Sequence, residues 1–169
     1  FLDSRGRCYP LTYGLNPQGS DLQKALLQFA HGKPLLTPHA KRWFLIHGAN
    51  KWGFDKATLE ERAQWSRDRH DQIIAMATDP VGNAEWAECD NPLQFLAWCF
   101  EYAEWQRLGD DFESRVAVSM DGSCNGLQNF SAMLRDEVGG RATNLTDNAQ
   151  MQDIYRLVAA AATVRMRKV

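Results

Sequence analysis

The stretch from Asn91-Pro92 to Arg107 constrains the fold more than any other. Leu93, Phe95, Leu96, Ala97, Trp98, Cys99, Phe100 and Ala103 leave it almost no polar face, and a helix apolar nearly all round has to be covered on most sides. The rest of the chain must supply the elements that cover it. With 169 residues, 44% of them hydrophobic, there is material for one full core, and a single domain is the default for this length.

The covering elements can be read from their start and stop signals. Residues 1–19 mix β-favouring pieces with Gly6, Pro10, Gly14, Pro17 and Gly19, which predicts a short twisted hairpin or irregular arm. Ser20-Asp21-Leu22-Gln23 has the form of a capping box, and Leu22, Ala25, Leu26 and Phe29 continue at helical spacing until Gly32-Lys33-Pro34. Thr37-Pro38 opens a second helix that ends around His47-Gly48-Ala49-Asn50. Thr58-Leu59-Glu60-Glu61 opens a third, more exposed helix, closed by Asp79-Pro80. Ser114 to Met120, with Val116 and Val118, is the one convincing interior strand, and it leads straight into Asp121-Gly122. Leu127, Phe130, Met133 and Leu134 give a short helix, Gly139-Gly140 a break, and Asp147 to Lys168 a final alanine-rich helix. The expected class is α+β, mostly helical, without an interdomain linker.

Charge and cysteine usage narrow the function classes. A net charge of -2 predicts no sequence-independent affinity for DNA, so any nucleic-acid contact has to be local. Cys8, Cys89, Cys99 and Cys124 lie far apart with no C-x-x-C, and His31, His39, His47 and His70 show no ligand spacing, so neither disulfides nor a zinc site is expected. No apolar run approaches the ~20 residues of a membrane span, and Phe1 to Arg7 has no signal-peptide character, so a soluble intracellular protein is expected. Phe1-Leu2 already reads as strand and Ala159 to Val169 carries no stop signal, which reads as a piece of a longer chain.

The sharpest chemical constellation is Met120-Asp121-Gly122-Ser123-Cys124-Asn125-Gly126-Leu127-Gln128-Asn129-Phe130-Ser131. It places a carboxylate between a strand and a helix, with glycines that let an ion or phosphate approach both the carboxylate and the backbone; an oxygen-only site of this kind suits magnesium. In the plainer reading Asp121 merely caps a turn, with Ser123 or Asn125 as the helix N-cap.

This stretch, continued through Ala132-Met133-Leu134-Arg135-Asp136-Glu137-Val138-Gly139-Gly140, resembles the first palm motif of single-subunit, bacteriophage-type DNA-directed RNA polymerases. The resemblance runs in the same order through Asp3-Ser4-Arg5-Gly6-Arg7, Asn16-Pro17-Gln18-Gly19-Ser20-Asp21, His47-Gly48-Ala49-Asn50, Phe95-Leu96-Ala97-Trp98-Cys99-Phe100-Glu101-Tyr102 and Gln152-Asp153-Ile154-Tyr155. Essentially the whole chain is covered. Mitochondrial polymerases share the palm motif, but the Ser131 to Glu137 continuation and His47-Gly48-Ala49-Asn50 look more like the phage branch. Asn125 and Asn129 depart from its pattern, which has Ser and His there.

The resemblance implies a palm portion of a right-hand polymerase, with fingers and a second catalytic aspartate outside this stretch. It implies that Asp121, with the backbone carbonyl of Gly122, helps hold two magnesium ions at the growing RNA end. Arg5 and Arg7 would lie against template and hybrid, where the fixed guanidinium fork suits phosphate; otherwise they are ordinary loop arginines. Lys24 would face nucleic acid rather than only solvate its helix, and Tyr155 would lie near the template pocket rather than in the core. The implied partners of the complete, monomeric enzyme are DNA template, nascent RNA and nucleoside triphosphates, in the cytoplasm of an infected bacterial host, with no membrane. This piece alone would be inactive. Two other classes compete: a non-catalytic nucleic-acid-binding remnant or half of a split polymerase, and a hydrolase pairing Asp121 with Glu101 or Asp136. The six tryptophans are read as packing residues.

Overall fold

The computed structural model describes residues 1–4, 7–12, 14–119, 122–146, 148 and 151–167. The chain divides into two compact units, Phe1–Val118 and Ser119–Val169.

The first unit is built on two long helices. One is α2 (Pro38–Trp52), opened by Thr37, whose hydroxyl accepts from Ala40 N, and ended by Gly53 at φ 107°. The other is α5 (Pro92–Leu108), which buries Phe95, Trp98, Cys99 and Tyr102 along one face. Trp98 Nε1 donates to Phe44 O at 2.9 Å, and Gly48 lets the two helices touch, since a methyl there would overlap the Trp98 indole. The Thr58–Glu61 capping box opens α3 (Leu59–Asp68), which packs on α2 and is pinned by Ser66 Oγ donating to Leu45 O at 2.8 Å. The predicted third helix breaks at Arg69, where ψ turns to 19°, and α4 (His70–Thr78) continues separately against α5. Trp52, Trp65, Trp86, Trp98 and Trp105 all join this core, so packing accounts for them.

The start of the chain departs further from its local signals. The Ser20 capping box is present, but α1 spans only Asp21–Ala25. Gln28–Pro34 is instead a strand, β1, paired antiparallel with β2 (Glu113–Val116), with an irregularity between Gln28 and Lys33. The interior strand therefore has a partner from far upstream and stops at Val116, short of Met120. Glu101 on α5 anchors it, accepting from Ser114 Oγ at 2.6 Å and Arg115 N at 3.0 Å.

A long-range cap joins α1 to α5. The N-cap residue of α5, Asn91, makes no side-chain cap bond. Asp21 takes over: its carboxylate accepts from Leu93 N at 2.7 Å and from Gln94 Nε2 at 2.9 Å, satisfying a donor that every helix start leaves open. Cover is incomplete on the other side of α5, where Leu22, Leu26, Leu93, Leu96 and Phe100 line an open apolar groove of about 470 Å³.

The N-terminal arm is the predicted hairpin. Phe1 and Tyr9 exchange backbone bonds, Leu2 bridges Cys8, and the Phe1 and Tyr9 rings stack at 5.4 Å.

The second unit holds α6 (Asn125–Leu134), α7 (Glu137–Ala142) and α8 (Ile154–Met166). Gly139-Gly140, read as a break, lies inside α7; a methyl at Gly139 would overlap Ser131 Oγ of α6, so the pair permits close packing. The last helix spans Ile154–Met166 and is opened by Asp153, which accepts from Tyr155 N and Arg156 N; its expected bounds, Asp147 and Lys168, lie outside the described residues. The chain as a whole fits the expected α+β, mostly helical class, with its strands in the first unit.

Candidate functional site

The turn before α6 is where the sequence placed the candidate chemistry. Asp121 lies outside the described residues, as does Arg5. From Gly122 onward the geometry is explicit. A Cβ on Gly122 would collide with Asn125 Oδ1 and sit 2.7 Å from Gln128 Oε1, so a larger residue would have to displace these two amide oxygens, which face its Cα. Gln128 is held there because its Nε2 donates to Thr143 O at 2.7 Å. Asn125, one of the two departures from the family pattern, thus supplies part of the turn's lining.

Neither proposed N-cap is used. The cap position of α6 is Cys124, at φ 132°, and it makes no side-chain cap bond. Such a φ is strained for a residue with a Cβ, at a cost of about 1–3 kcal/mol, and persists only where the surroundings hold it. Ser123 Oγ instead accepts from Asn144 Nδ2 at 3.1 Å. The neighbouring Cys124 side chain is the main cause of a Tyr155 phenol pKa raised above its ordinary value. Tyr155 is 70% exposed, so it is not a core residue, and the structure brings it to the same turn as Gly122.

Arg7 and Lys24 belong to the first unit. Arg7 is exposed on the hairpin arm, its backbone N–H donating to Asp3 Oδ1 at 2.9 Å. The arm is tied to the loop before α1 by Gln18 Nε2 donating to Cys8 O at 3.1 Å. Lys24 is half-buried on α1 and lines a small cavity of about 30 Å³ with His47, Gln94, Trp98 and Glu101. Beside it Lys51 Nζ donates to Gln94 Oε1 at 2.7 Å. Burial, and then the neighbouring Lys24 charge, pull the Lys51 pKa below its ordinary value. His47 is pushed down to about 4 by burial and by Lys51. No sequence signal marked Lys51, Gln94 or Asn144, because each acts through partners distant in the chain.

The hydrolase pairing loses its candidates. Glu101 is committed to β2, and Asp136 caps α7 by accepting from Val138 N at 3.0 Å. Among the described residues, no three His, Cys, Asp or Glu side chains cluster to hold a metal, and no helix is long and apolar enough to cross a membrane.

The sequence profile of the DNA-dependent RNA polymerase family matches residues 34–169. The chain belongs to that family. Among its relatives, T7 RNA polymerase of Escherichia phage T7 is 48% identical over 94% of this chain and 18% of its own length. The DNA-directed RNA polymerase of Enterobacteria phage T3 is also 48% identical, with the same shares. The human mitochondrial DNA-directed RNA polymerase is 40% identical over 99% of this chain and 14% of its own length. The polymerase chain described here therefore spans less than a fifth of these relatives, and its identity to the phage enzymes exceeds that to the human one.

Proposed function

We propose that the parent of this chain is a phage-encoded polymerase that makes RNA on a DNA template from nucleoside triphosphates, and that both units belong to its palm region. The observation that carries this reading is the family match over residues 34–169, which contains the Asp121 turn. Asp121 and the Gly122 carbonyl hold magnesium there. The oxygen-lined surroundings of Gly122, with Asn125 Oδ1 and Gln128 Oε1 against its Cα, fit a hard cation that prefers oxygen ligands.

Two magnesium ions, when bound, make the RNA 3′-hydroxyl a better nucleophile and steady the departing pyrophosphate. Asp121 would supply negative charge that helps hold them. One carboxylate cannot offset two cations a few ångströms apart, so a second aspartate must come from the parent beyond this stretch, and the chain alone is inactive. Arg5, Arg7 and Lys24 contact the backbone of template and hybrid, and exposed Tyr155 offers a ring for a base to stack on. The complete enzyme works as a monomer in the cytoplasm of the infected host.

The test is magnesium-dependent RNA synthesis on promoter DNA by the full-length parent and its Asp121→Asn variant. Losing a metal ligand removes several kcal/mol of transition-state stabilisation, so a fall on the order of 10³-fold is expected in a still-folded protein. Equal activity in both would sink the assignment. A wild-type parent with no synthesis would favour the non-catalytic remnant.

A further inference from the structure

We propose that Asn144 is the positioning residue of the metal-holding turn, clamping it to the segment that leads into α8 through a carboxamide whose three bonds leave no donor unused. The inference rests on the reading of that turn as the metal site.

Asn144 stands at φ 56°, in the left-handed region, which Asn tolerates better than most residues. From this corner its Nδ2 donates both to Ser123 Oγ at 3.1 Å and to Gln152 O at 2.8 Å. Its Oδ1 accepts from Gln152 N at 2.7 Å. The backbone of Gln152 sets which way the amide points, because an N–H must meet Oδ1 and a carbonyl must meet Nδ2. Flipping the amide would break both bonds to Gln152 and turn an acceptor toward its carbonyl. The Nδ2 hydrogen left over is therefore aimed at Ser123, the residue that follows Gly122.

The adjoining residue supports the same turn by a second route. Thr143 O accepts from Gln128 Nε2, and Gln128 Oε1 then faces the Gly122 Cα. Thr143 is itself fully buried, its hydroxyl donating to Gly139 O at 2.8 Å. The Thr143-Asn144 corner thus reaches both sides of Gly122, one side through Ser123 and the other through Gln128. The strained Cys124 lies between those two contacts in sequence, and holding a strained residue requires such fixed neighbours. Groups that orient metal ligands without touching the ion commonly govern metal affinity by about 10- to 100-fold.

The test uses the full-length parent polymerase and free Mn²⁺ counted by its paramagnetic resonance signal, alongside the magnesium dependence of RNA synthesis. Asn144→Gly keeps the left-handed backbone and removes the carboxamide; Ser123→Ala removes the acceptor alone. Each should raise the half-saturating Mn²⁺ and Mg²⁺ concentrations about tenfold while promoter-DNA binding stays as in wild type. The double variant should shift no further than Asn144→Gly alone, because that substitution already deletes the Ser123 contact. Asp121→Asn is the control for the underlying reading. If it loses Mn²⁺ while Asn144→Gly binds as wild type, Asn144 only supports the fold and the inference fails. Shifts that add in the double variant also overturn it. If Asp121→Asn binds Mn²⁺ as wild type, the metal reading of the turn fails and the role of Asn144 falls with it.

Discussion

His47-Gly48-Ala49-Asn50, one of the strongest family-like motifs, is explained residue by residue through packing. Gly48 makes room for the Trp98 indole, Ala49 is fully buried, and Asn50 Oδ1 accepts from Arg62 Nη1 at 3.1 Å, joining α2 to α3. His47 carries a pH dependence. Its folded pKa of about 4 lies below the ordinary 6.5, so between those values the unfolded chain binds the extra proton and stability rises with pH. Stability should be intact above pH 6.5, fall by roughly 3 kcal/mol toward pH 4, and level off below that, from this group alone. Urea unfolding at a series of pH values would check it, and His47→Gln should remove that part of the slope; an unchanged slope would mean His47 protonates equally in both states. At this scale the close packing of Asn125 and Gln128 on the turn glycine agrees with the tight turn read from the sequence. Asn144 was not legible there, because its bond to Ser123 crosses 21 residues and depends on a left-handed corner that no local pattern announces.

The helix starts were read correctly wherever their caps are local. Thr37, Thr58 and Ser20 all accept the bonds that their motifs predicted. The failures are elements defined by distant partners. Gln28–Pro34 is exposed along nearly all its length, so it carries no alternation; it is a strand because β2, more than 70 residues later, offers a ladder. The Leu22 to Phe29 spacing imitated a longer helix for the same reason. The Asp21 cap on α5 is equally non-local, reaching across 72 residues to Leu93. Asp21→Ala should therefore destabilise the chain by about 1–2 kcal/mol, as loss of an N-cap does, with the added loss of a negative charge at a helix start. Chemical denaturation would register this as a lower midpoint. Asp21→Asn, which retains an acceptor, should lose less; no change in either variant would show that α5 does not depend on α1 for its start.

At the scale of the whole molecule, the distribution of apolar surface agrees with a piece that functions inside something larger. In the second unit Phe130, Met133, Leu134, Val138 and Met151 are all more than half exposed, a larger apolar exposure than a self-sufficient fold usually carries. The relatives are about five times longer than this chain, which is length enough to cover such faces. Composition hid this need, because 44% hydrophobic residues looks sufficient for one core when their positions are not considered. In the proposed reading the parent's metal sits at the turn around Asp121. Replacing magnesium by Fe²⁺ in the full-length enzyme and adding ascorbate and peroxide generates hydroxyl radicals at the metal, which cut the nearest backbone. Cleavage is expected within a few residues of Gly122, suppressed by excess Mg²⁺ and absent in Asp121→Asn; cleavage confined to other parts of the chain, with residues 120–125 intact, would contradict a metal at this turn.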